Sequence, residues 1–67
     1  MQKNTLGKNL HEFREMGSLS QEQLGRKLGV NQRTVSNWEV GINDPCLDMV
    51  VKIADFFGIS TDELLKD

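Results

Sequence analysis

Apolar residues recur along this chain at helical rather than strand spacing. Leu6, Leu10 and Phe13 fall at i, i+4 and i+7, Leu24 and Leu28 are four apart, and Val35 and Trp38 are three apart. Leu47, Val50, Ile53, Ala54 and Phe57 form a longer stripe, and Leu64, with Leu65, closes the series. Side chains three or four apart share one face of an α-helix, so each group predicts an amphipathic helix. No run alternates with the period of two that a half-buried strand needs.

The gaps between the stripes carry helix-capping chemistry. Asn4 or Thr5 can cap the first helix, and Gly17-Ser18 ends it. Ser20 opens a second with a "SQEQ" capping box, in which Gln23 reaches back to the cap residue. Gly29 follows as a residue that tolerates a left-handed backbone, and Asn31 caps a third helix from about Gln32 to Glu39. "VGINDP" is rich in turn residues; the fourth helix starts near Cys46, a weak cap acceptor, and stops at Gly58. A second capping box, Ser60 with Glu63, opens a short fifth helix. The expectation is one all-α domain over residues 1–67, built from five short helices.

Sixty-seven residues lie near the lower size at which one apolar core holds by itself, so each core side chain carries unusual weight. One cysteine, Cys46, excludes an internal disulfide, and no partner Cys or nearby His in the sequence supports a redox role. The first residues lack a signal peptide's apolar run, and no stretch approaches the ~18 apolar residues of a membrane span. A soluble, cytoplasmic protein with no membrane partner is expected.

The formal charge of −2 argues weakly against a nucleic-acid partner, but the way the charge is distributed weakens that objection. Residues 1–39 hold six cations against four anions, whereas residues 40–67 hold two cations against six anions. The acid is gathered at one end.

Against this background the third helix is unusual. "GVNQRTVSNWE" buries only Val35 and Trp38, and surrounds them with Asn31, Gln32, Arg33, Thr34, Ser36 and Asn37. A merely solvated face is normally filled by Lys and Glu; amides, hydroxyls and one Arg instead suit a partner with hydrogen-bonding edges. Trp38, two turns into the helix, is expected to be core rather than a stacking surface, and Val35 likewise. The connection Leu28-Gly29-Val30-Asn31 is too tight for antiparallel stacking and suits a near-perpendicular helix pair. Gly25 supplies the small residue that a close crossing needs, and Gly29 the positive φ of the turn.

These residues make the resemblance specific. "LSQEQLGRKLGVNQRTVSNWEVG" resembles the helix-turn-helix of the Cro/C1-type repressors, with the motif at about residues 20–39. The likeness extends over residues 6 to 65, through the tail "P…L…IADFFGIS.DELL". It implies a lambda-repressor-like fold whose third helix enters the DNA major groove as a dimer on a near-palindromic operator. By matched position, Gln32, Arg33, Thr34 and Asn37 are the base-contacting residues, and Gln21 binds a phosphate and braces Gln32. Asn31, at a helix N-terminus where free N–H groups favour phosphate oxygens, and Ser36 are also expected to face phosphates. The chemistry is suitable: Gln and Asn pair with adenine, Arg with guanine, and the Thr34 methyl with a thymine methyl. Arg14 and Glu39 match a family ion pair between the first helix and the end of the third. Together with Gly29, Val35 and Trp38 they form the structural set.

The pattern departs from the family in three places. Gly25 stands where alanine is usual, the "VGINDP" loop has no cation, and Cys46 replaces a serine cap. His11 falls on the polar side of the first helix and reads as an ordinary surface residue. No nucleophile–base pair, metal cluster or phosphate loop is visible, so no enzyme, cofactor or small-molecule ligand is expected. The alternative function is a protein-interaction module on the same fold, using Val40, Ile42 and Phe56 beside the acidic half.

Overall fold

The computed structural model describes residues 5–67, and these form five α-helices. They are α1 (Thr5–Met16), α2 (Gln21–Leu28), α3 (Gln32–Val40), α4 (Leu47–Phe57) and α5 (Thr61–Leu65). Both capping boxes are formed. Ser20 Oγ accepts from Gln23 N at 3.0 Å while Gln23 Oε1 accepts from Ser20 N at 2.8 Å. Ser60 Oγ accepts from Glu63 N at 3.0 Å, and Glu63 Oε1 from Ser60 N at 3.1 Å. Asn31 caps α3, and Cys46 flanks α4 without any side-chain cap bond, as expected of a thiol. Thr5 lies inside α1 rather than capping it, and Asn4 lies outside the described residues.

The core gathers Leu10, Leu24, Leu28, Val35, Trp38, Val50, Ile53, Ala54 and Leu64, with Leu6, Phe13, Leu19, Val30, Met49, Phe57 and Ile59 packed around them. α2 packs on α3, α1 on α3 and α5, and α4 on α5. Every stripe therefore faces one shared interior, which is how five short helices reach a single core.

Two apolar positions depart from the expected pattern. Leu47 is 77% exposed: it stands at the first residue of α4, at the edge of a stripe that Val50, Ile53 and Ala54 already fill. Leu65 is also exposed, because Leu64 takes the single inward position of the short α5.

The α2–α3 turn is set by close backbone approach. A Cβ at Gly25 would stand 2.6 Å from the Val30 carbonyl oxygen, closer than real Cβ contacts come. Val30 N donates to Gly25 O at 2.8 Å, so the same glycine both admits and anchors the turn. Gly29 takes φ 82°, and Lys52 of α4 donates from Nζ to the Leu28 carbonyl at 2.9 Å. A cation at the C-terminus of α2 also complements its dipole.

Candidate nucleic-acid interface

The side chains of α3 divide by depth. Val35, Trp38 and Glu39 are buried, Gln32 and Arg33 are exposed, and Thr34, Ser36 and Asn37 are half-buried. Gln32 with Ser36, and Arg33 with Asn37, are pairs four residues apart, so they form two adjacent rows along the helix. None of these four side chains has a hydrogen bond or ion pair among the described residues. Their donors and acceptors are uncommitted.

Asn31 and Thr34 are different. Asn31 Oδ1 accepts from both Thr34 N and Thr34 Oγ1, each at 2.8 Å. The hydroxyl proton of Thr34 is thus turned to the cap, and what it can offer outward is its methyl group. The amide nitrogen of Asn31 keeps both its N–H groups for another acceptor.

Behind α3 lies a buried ionic cluster. Arg14 Nε donates to Glu39 Oε2 at 2.7 Å and Nη2 to Oε1 at 3.1 Å, a two-pronged pairing between α1 and the end of α3. Both residues are almost fully buried, at 7% and 9% exposure. Arg14 Nη1 also donates to the Leu19 carbonyl at 2.8 Å. That carbonyl is brought into reach by Ser18, which takes φ 58°, a left-handed conformation uncommon for serine. The positive φ of the α1–α2 turn thus falls on Ser18 and not on Gly17.

Burial pushes the Glu39 carboxyl up, but hydrogen bonds from Arg14, Gln21 and His11 outweigh it and hold the group below its ordinary value. The hydrogen bond to Glu39 raises Arg14 above its own, against an opposing desolvation.

Two expectations are corrected here. The family likeness places Gln21 against Gln32; instead its Nε2 donates to Glu39 Oε1 at 3.0 Å, because an anchored carboxylate is the stronger acceptor. His11 is not an ordinary surface residue. Its Nδ1 lies 3.2 Å from Glu39 Oε1 and 3.0 Å from Arg14 Nη2, although the ring is half exposed. The signal is present in the sequence, since His11 is three residues before Arg14 and so shares its side of α1.

Little else competes for the site. Arg26 is paired with Glu22 at 3.0 Å on the outside of α2. Among the described residues no cluster of three His, Cys, Asp or Glu could hold a metal ion, and no helix is long and apolar enough to cross a membrane.

Residues 10–64 match the helix-turn-helix family model, and the chain belongs to that family, in its Cro/C1-type branch. It is 40% identical over 55 residues to an uncharacterised HTH-type transcriptional regulator of Methanocaldococcus jannaschii, covering 82% of this chain and 83% of that one. The cryptic phage CTXphi transcriptional repressor RstR of Vibrio cholerae is 33% identical over 58 residues, with 87% of this chain covered but only 52% of the relative. This chain thus spans most of one relative and about half of the other. Among solved structures, the P22 c2 repressor bound to a synthetic operator superposes with a TM-score of 0.84 at 26% identity, covering 91% and 92% of the two chains. The fold is lambda-repressor-like and all-helical, and the family is one of transcription regulators rather than enzymes.

Proposed function

We propose that this chain is a sequence-specific double-stranded DNA-binding transcriptional regulator, acting as a repressor in the cytoplasm. In this reading α3 lies in the major groove, with Gln32, Arg33, Thr34 and Asn37 on base edges. Gln21, Asn31 and Ser36 contact phosphates. The observation that carries the reading is the double row of uncommitted side chains on α3, set behind a tight turn and backed by a buried ion pair. A helix holding all its polar groups in local pairs has little to offer a base; this one leaves Gln32, Arg33, Ser36 and Asn37 open, and only Thr34 is held by Asn31. The P22 c2 repressor, of the same fold, is seen bound to a synthetic operator.

The functional unit on DNA is a homodimer on a near-palindromic operator, joined around Ile42, Pro45 and Thr61. Ile42 is exposed there, and Pro45 and Thr61 are half-buried. Pairing through that side presents two copies of α3 to one DNA face, about 34 Å apart. No small-molecule ligand or cofactor is part of the proposal.

Binding to a duplex selected from a random pool, titrated with salt, tests the class of function. A phosphate-anchored complex weakens steeply as salt rises. Absence of any selected duplex would leave the protein-interaction module, docking through exposed Val40, Ile42 and Phe56, as the better account.

A further inference from the structure

We infer that Glu39 is a positioning residue for DNA binding, acting through Gln21, and that its role extends beyond the ion pair with Arg14. This rests on the proposed phosphate contact by Gln21. A carboxylate only accepts hydrogen bonds, so the end of the Gln21 amide that faces Glu39 must be its NH2 group. One of the two amide N–H groups is spent on Glu39 Oε1 at 3.0 Å. The other N–H has no partner among the described residues, and Gln21 is the first residue of α2.

Glu39 is itself fixed by the two-pronged Arg14 pairing, at 2.7 and 3.1 Å. Rotation of the Gln21 amide is therefore opposed from behind, and its second N–H is left to donate to a phosphate oxygen. Without Glu39 the amide turns freely, and half of its orientations present an oxygen to the anion. Arg14, Glu39 and Gln21 form a relay from α1 through the end of α3 to the start of α2. The residue that steadies the reading helix also aims the backbone contact that sets its register.

The test uses the full chain and a duplex selected by it from a random pool. A single neutral methylphosphonate is placed in turn at each backbone position. The parent is expected to lose about tenfold in affinity at one position per half-site, the scale of one hydrogen bond to a charged group. Gln21→Met should bind about tenfold more weakly and be blind to that substitution. Glu39→Gln should lose about twofold from the freed amide and keep a reduced sensitivity at that position, which adding Gln21→Met should abolish. A purely structural role for Glu39 lowers affinity without reducing this single-phosphate sensitivity.

If Glu39→Gln keeps the parent's full sensitivity while Gln21→Met loses it, the positioning role is refuted and the phosphate contact survives. If the parent binds DNA but Gln21→Met matches it at every phosphate, the contact itself falls, and the relay with it. Should Glu39→Gln melt below the assay temperature, NMR of the parent decides. One Gln21 side-chain amide proton should follow the Glu39 titration and stay put on DNA binding, while its twin shifts. Equal movement of both protons would overturn the inference.

Discussion

Arg14 Nε and Glu39 Oε2 stand 2.7 Å apart across 25 residues of sequence, both side chains out of solvent, and they fasten α1 to the end of α3. A buried charge that loses its partner is left uncompensated, at about 3–5 kcal/mol, whereas an exposed pair is worth under about 1 kcal/mol. Glu39→Gln should therefore lower the unfolding free energy by about 3 kcal/mol, the amide oxygen still serving Arg14 in part. The check is a urea titration of parent and variant. A midpoint equal to the parent's would mean the pair contributes nothing to stability.

The same cluster sets an acid limit. Glu39 has a folded-state value below its unfolded one, so its contribution is fully present above the unfolded carboxylate range, about 4.3. That contribution disappears as pH falls through the depressed folded value. Arg14 is shifted upward, so its contribution is intact at every pH below the ordinary arginine range and adds no slope here. Stability should fall from about pH 5 downward, and Glu39→Gln should flatten that part of the curve. Identical acid profiles for the two proteins would assign the slope to other carboxylates.

Trp38 is the largest side chain in the core, and only 6% of it is exposed. Trp38→Ala should cost about 3–5 kcal/mol, comparable with the whole stability of a domain this small, and leave it largely unfolded at room temperature. Loss of the cooperative thermal transition is the expected result. A melt near the parent's would remove Trp38 from the core.

The dimer proposal is tested at Ile42, an exposed residue whose replacement has little to disturb within one protomer. Ile42→Glu should leave the melting temperature unchanged, since a surface substitution changes stability by under about 0.5 kcal/mol. On operator DNA it should bind as independent protomers and lose cooperativity. Sedimentation of the parent complex at saturation should give two protomers per site; a single protomer would contradict the dimer.

How much of this is legible in the sequence varies with the physics involved. Capping boxes at Ser20 and Ser60 are local, encoded within four residues, and both form where the sequence places them. The stripes locate the core because helical period fixes which side chains share a face, and they fail at Leu47 and Leu65, near helix ends where neighbours decide burial. Gly25 reads as a close-approach residue, and the 2.6 Å that a Cβ there would leave to Val30 O supplies the cause. The ion pair of Arg14 and Glu39 is legible only through family likeness, since no periodicity links residues 25 apart. The place of His11 in that cluster is hinted at by its spacing from Arg14, whereas that of Gln21 follows from which polar group lies beside a carboxylate once the chain has folded.

The central claim is that α3 reads bases, and site selection from random duplexes with parent, Arg33→Ala and Asn37→Ala tests it most directly. Both side chains are without partners among the described residues, so their removal should leave the fold intact. Each variant should lose about 1–3 kcal/mol of discrimination at one base pair per half-site and keep the parent's preference elsewhere. Gln21→Ala, by contrast, should weaken all sites about equally, since a phosphate contact carries no sequence information directly. If Arg33→Ala and Asn37→Ala bind the parent's selected duplex with unchanged affinity and preference, α3 is not the reader.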